Sequence, residues 1–157
     1  MAGLRLARTS KQRCVVIPRR RISPQLRRLL AIEAGNVCSY CRSPAVVGVP
    51  MAVDHIIPLA SGGDNEPSNL CLACYRCNEF KGIQTEGDDP LMDVRVPLFH
   101  PKTQRWMDHF AWSEDGHYVL GLTSTGRATI QALQMNDQVL RQARAIWVLV
   151  GVHPPIE

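Results

Sequence analysis

The sequence predicts an α+β protein. A small strand, loop, strand and helix unit sits between two Cys-x-x-Cys pairs, with a basic arm and one helix before it and a hairpin and two helices after it. Three observations carry that expectation. Val and Ile cluster ahead of a Gly/Asp/Asn loop, and apolar residues recur at helical spacing outside the central unit. The chain has 157 residues, 45% hydrophobic and 20% charged, which suffices for one core plus a small appendage. The implied division is 1–35 for the basic arm and helix, 36–84 for the central unit and 85–157 for a C-terminal extension.

Taken in order, Ser23 followed by Pro24 marks an N-cap with proline at the first helical position. Leu26, Leu29, Leu30 and Ala34 then keep helical spacing, and Gly35 can close the end, so a helix is expected over residues 24–34. Residues 45–57 are rich in Val and Ile and read as a strand that ends at Pro58 and Gly62-Gly63-Asp64-Asn65. Residues 69–73 form the returning strand, and 74–81, before Gly82, a short helix. Residues 85–90 read as a polar linker, 109–120 as a hairpin around Asp115-Gly116, and 126–135 and 137–150 as helices.

The formal charge of +4 is unevenly spread. Residues 1–32 hold nine cations and no anion: Arg5, Arg8, Lys11, Arg13, Arg19, Arg20, Arg21, Arg27 and Arg28. The rest holds nine cations against fourteen anions, a net of −5. A basic arm on an acidic body suggests a polyanionic partner, for which Arg13, Arg19, Arg20, Arg21, Arg27 and Arg28 are the candidate contacts; a transit peptide or a solvated tail is the plainer alternative. The longest apolar run, residues 145–152, is far short of the ~20 residues that span a bilayer. A soluble, cytoplasmic protein is expected.

Six cysteines without a signal peptide argue against a disulfide framework. Cys38-Ser39-Tyr40-Cys41 and Cys74-Tyr75-Arg76-Cys77 are Cys-x-x-Cys pairs separated by 32 residues. A two-residue spacer lets both sulfurs of a pair converge on one ion, so the four thiolates suit a tetrahedral structural Zn2+ site. A redox pair would explain one Cys-x-x-Cys and not the second. Cys71 also stands three residues before Cys74; on a strand it is most simply a buried thiol, as is Cys14 in a short strand over 14–17.

The run Asp54-His55-Ile56-Ile57-Pro58, Gly62-Gly63, Asn69-Leu70 and Cys74-x-x-Cys77-Asn78-x-x-Lys81 resembles the HNH endonuclease family over about residues 36–84. That resemblance implies a ββα-metal nuclease core, with His55 as general base, Asp54 and Asn78 as ligands of a catalytic Mg2+ or Mn2+, and Asn69 fixing the strand pairing and orienting His55. It also implies products with a 5′-phosphate and a 3′-hydroxyl. Asn78 stands where the family name has histidine. The extension, with Trp106, Phe110, Trp112 and Gly126-Arg127-Ala128-Thr129, resembles that of a bacterial subgroup.

The residues support the same chemistry when read directly. Phosphodiester hydrolysis needs a base, a cation at the phosphate and donors that hold the geometry. His55 is the sole histidine near the cluster, Asp54 and Asn78 supply hard oxygens, and Lys81, one helical turn after Asn78, can set a cation against the phosphate. Neighbours on a regular strand face opposite sides, so Asp54 and His55 share a site only if the strand ends or bulges there. His100, His109, His117 and His153 have no ligand-like spacing, and Trp106, Trp112 and Trp147 read as core. Two function classes follow: a metal-dependent endonuclease acting on DNA, with RNA open, or a zinc-stabilised module that binds DNA or docks on a protein partner of a larger nuclease system.

Overall fold

The computed structural model describes residues 22–46 and 48–155. The expected strand over 14–17, together with Arg13, Arg19, Arg20 and Arg21, lies outside the described residues. Helix α1 runs Pro24–Glu33, with Ser23 accepting from the Leu26 amide at 3.1 Å and Gly35 following at φ +63°. Its buried residue is Leu30 alone; Leu29, one of the apolar residues at helical spacing, is 62% exposed.

The central unit is β1 (Met51–His55), β2 (Leu70–Cys74) and α2 (Tyr75–Lys81). The strands pair antiparallel in unbroken register, with Asp54 opposite Cys71 and His55 opposite Leu70. The strand expected over 45–57 is therefore shorter, because Pro50, which has no amide proton for the ladder, stands directly before Met51. Pro50 still contributes its carbonyl, which accepts from the Tyr75 amide at 2.9 Å and seats the start of α2.

The segment read as a linker is a strand. β3 (Glu86–Asp89) pairs with β4 (Val94–Pro97), and α4 (Ser124–Ala132) packs across the pair. Glu-Gly-Asp-Asp has no strand propensity of its own. Asp89 is buried under a two-pronged ion pair with Arg127 of α4, at 2.8 and 2.6 Å, so a partner 38 residues away decides the element. Two 3-10 turns, Leu59–Ser61 and Pro67–Asn69, lie between β1 and β2, and the remaining elements are α3 (Trp106–His109), the expected hairpin of β5 (Phe110–Trp112) and β6 (Val119–Gly121), and α5 (Gln138–Leu149).

One buried cluster joins the central unit to the extension: Cys38, Tyr40, Cys41, Cys74 and Cys77 pack with Phe99, Trp106, Phe110, Leu133 and Met135. The Trp106 indole donates to the Tyr40 carbonyl at 2.8 Å, and buried Trp106 stacks on half-buried Trp112 at 5.1 Å, whereas Trp147, also read as core, lies outside this cluster. The fold is α+β, and no helix among the described residues is long and apolar enough to cross a membrane.

Candidate metal centre and catalytic groove

The two cysteine pairs meet. Cys38 and Cys41 lie on the turn after α1, while Cys74 ends β2 and Cys77 opens α2, where the Cys74 sulfur accepts from the Cys77 amide at 3.4 Å. All four are buried, and their sulfurs lie within 4.8 Å of one another, with Cys41 and Cys74 at 3.7 Å. Four sulfurs each ~2.3 Å from one tetrahedral ion stand about 3.8 Å apart, so the cluster has the dimensions of a four-thiolate zinc site. Crowding has an electrostatic signature as well. Burial pushes the Cys38 thiol well up, the neighbouring sulfurs push Cys77 up, and hydrogen bonding from Cys38, Cys74 and Cys77 holds Cys41 well down. Four thiolates share this space only around a cation. Cys71 stays outside the cluster; burial, then the charge of Asp54, pushes its thiol up to about 12, as expected of a buried thiol.

An open groove of about 670 Å³ is lined by Asp54, His55, Asn65 and Asn78, with Pro58 and Leu59 from the loop and Arg27 from α1. β1 ends at His55 without a bulge, which allows neighbouring residues to reach one groove although their main contacts differ. The His55 imidazole is half-buried, with Nε2 2.8 Å from Asn65 Oδ1. Asp54 is buried. Its Oδ2 accepts from the Tyr40 hydroxyl at 2.7 Å, and Lys81 Nζ lies 3.3 Å from Oδ1 and 3.2 Å from Oδ2. Burial raises the Asp54 carboxyl above its ordinary value, against the downward pull of Lys81 and Tyr40. The Asn78 side chain makes no hydrogen bond among the described residues, so a buried carboxylate and an unengaged amide oxygen form a donor set that suits a hard cation keeping several waters.

Two residues sit differently from their expected places. Lys81 does not face the groove: it is 2% exposed and also donates to the His55 carbonyl at 2.7 Å, so it clamps the end of β1. Asn69 does not touch the His55 ring. Its amide accepts from Ile57 N at 2.8 Å and donates to the carbonyls of Ile57 and Asp64 at 2.9 Å each, holding the loop that carries Asn65. Gly63 makes this closure possible, since a Cβ there would stand 1.8 Å from the Ile57 carbonyl oxygen. Sequence reasoning missed Tyr40 and Asn65. Asn65 looked like an ordinary turn residue, and Tyr40 like a spacer between two cysteines; its place inside the first Cys-x-x-Cys pair was the available signal.

Residues 38–84 match the family model of HNH endonuclease, a span of 47 residues in 157. That span holds both cysteine pairs, β1, β2, α2 and every groove residue named above except Arg27, so the match and the resemblance read from the sequence fall on the same unit. The family supports a nuclease-type function, acting on nucleic acid with bound metal. No curated protein and no solved structure matches the chain.

Proposed function

We infer that the protein is an HNH endonuclease that hydrolyses phosphodiester bonds of DNA in the groove beside His55. One observation supports this above the others: a single open groove inside the matched span gathers His55, Asp54 and Asn78, with an arginine of α1 at its edge. In this reading His55 is the general base. With Asn65 Oδ1 accepting the Nε2 proton, Nδ1 is left to take a proton from water. Asp54 and Asn78 are the ligands of Mg2+ or Mn2+, which when bound supplies charge neutralisation at the phosphate and the leaving 3′ oxygen. Lys81 and Tyr40 hold the Asp54 carboxylate in place, and Asn69 holds the loop. Arg27, Arg28 and the arm residues Arg13, Arg19, Arg20 and Arg21 bind backbone phosphates.

The second reading, a zinc-stabilised binding module, draws on the same carboxylate: Asp54 is 4% exposed and already engaged by Lys81 and Tyr40. Plasmid nicking with magnesium or manganese separates the two. His55→Ala should lower the rate by ~10²–10⁴-fold at unchanged zinc content, and added magnesium should not restore it. Asn78→Ala should recover part of its activity as magnesium rises. Equal nicking by wild type and His55→Ala at matched protein and metal would leave the binding module.

A further inference from the structure

Tyr40 stands between Cys38 and Cys41 and is fully buried. Its backbone is fixed from several sides. Both flanking cysteines belong to the buried cluster, and the Ser39 amide donates to the Leu72 carbonyl of β2 at 2.8 Å. The Tyr40 carbonyl accepts from the indole of Trp106 at 2.8 Å, so the extension, outside the matched span, holds it as well. A side chain pinned in this way carries its hydroxyl to Asp54, where it donates to Oδ2 at 2.7 Å.

That bond crosses from the cysteine cluster to the groove. Asp54 Oδ2 also meets Lys81 Nζ at 3.2 Å, so both of its lone pairs are engaged, whereas Oδ1 meets only Lys81, at 3.3 Å, among the described residues. Oδ1 therefore keeps a lone pair for a cation. The other proposed ligand is joined to the cluster by a peptide bond, since Asn78 follows Cys77 on α2. Each cysteine pair has one hold on the groove: the first through the Tyr40 hydroxyl on Asp54, the second through the backbone of Asn78.

We propose that Tyr40 couples the four-cysteine site to the catalytic metal site, so that the Cys38–Cys41 turn and the Trp106 indole together set the affinity of the groove for Mg2+ or Mn2+. This deepens the nuclease reading and rests on its assignment of Asp54 as a ligand. Tyr40 is a positioning residue: it acts through the Asp54 carboxylate, which it holds with Oδ1 left open. Coupling between two sites is reciprocal, so a cation in the groove tightens zinc at the cysteines by the same factor.

The test is Mn2+ binding to the full-length, zinc-loaded chain, read from the electron paramagnetic resonance signal of free Mn2+, together with zinc affinity by a chromogenic chelator with and without saturating Mn2+. Tyr40→Phe removes one oxygen and should raise the Mn2+ dissociation constant ~10–100-fold while keeping one zinc per chain. In wild type, Mn2+ should tighten zinc by ~5–150-fold, and in Tyr40→Phe that factor should shrink toward one. An equal factor in both proteins would assign the coupling to the common fold and overturn the proposal, as would a folded Tyr40→Phe protein with unchanged Mn2+ affinity. Asp54→Asn tests the reading beneath it. If Asp54→Asn leaves Mn2+ affinity unchanged, Asp54 is no ligand and the proposal falls with that reading; a loss in Asp54→Asn with none in Tyr40→Phe refutes the coupling alone. Should Tyr40→Phe fail to fold, Trp106→Phe decides, because it keeps the hydroxyl and removes the donor to the Tyr40 carbonyl. A loss of Mn2+ affinity of about fivefold, the worth of one hydrogen bond, supports the link, and no loss overturns it.

Discussion

Replacing Gly63 by alanine tests whether the loop between β1 and β2 is held by the closure described above. An added Cβ would stand 1.8 Å from the Ile57 carbonyl oxygen and 2.8 Å from Asn69 Nδ2, whereas ordinary contact begins at 3.4 Å, so the two backbone segments must separate by about 1.6 Å. That displacement breaks the bond from Asn69 Nδ2 to Ile57 O (2.9 Å), the bond from Ile57 N to Asn69 Oδ1 (2.8 Å) and the bond from Gly63 N to Pro58 O (3.0 Å). At ~1 kcal/mol net for each hydrogen bond the loss is about 3 kcal/mol. The neighbouring Gly62 is the control. It has φ +86° and open space around it, so Gly62→Ala costs only the ~1–2 kcal/mol of a left-handed residue. Urea unfolding of the zinc-loaded proteins measures both. Because the displaced loop also carries Asn65, Gly63→Ala should lose nicking activity while keeping its zinc. A Gly63→Ala protein within ~0.5 kcal/mol of wild type, or one less damaged than Gly62→Ala, would refute the reasoning.

Other expectations follow from the same structure. Cys38→Ser or Cys77→Ser should abolish stoichiometric zinc and unfold the central unit, because structural zinc contributes ~10–16 kcal/mol against a typical domain stability of ~5–15 kcal/mol; Cys71→Ser should keep one zinc per chain by elemental analysis. The Arg127 guanidinium holds the Asp89 carboxyl well below its ordinary value of 3.8, so this pair's stabilisation is complete above that pH and fades as the pH falls through the lowered value. Melting temperatures of Asp89→Asn and wild type, measured from about pH 6 downward, should therefore differ most at the upper end and converge in acid. Deleting residues 1–22 removes seven cations, and at ~0.9 per neutralised phosphate the salt slope of DNA binding should fall by roughly 2–4; an unchanged slope would show that the arm makes no phosphate contact.

What was legible in the sequence is what depends on short spacing. Cys-x-x-Cys lets two sulfurs reach one ion whatever surrounds them, Ser23-Pro24 caps a helix locally, and Asp115-Gly116 turns a hairpin locally, so the α+β layout, the meeting of the four cysteines and the resemblance that falls on the matched residues 38–84 were readable before any contact was known. The groove was legible only in part. Asp54, His55 and Asn78 stood out by type and order, but the orientation of a side chain depends on the partner it meets. Lys81 turns inward because a buried carboxylate 27 positions earlier needs a cation, and Asn69 is drawn to Ile57 and Asp64 by unpaired backbone groups there. Tyr40 against Asp54 and Asn65 against His55 are likewise pairings created by folding. The strand at Glu86–Asp89 and the burial of Arg144 lie furthest from sequence reasoning. For the strand, the tertiary structure supplies the counter-charge that an isolated segment lacks, Arg127 for Asp89. Local propensity carries no trace of a charge balanced from so far along the chain.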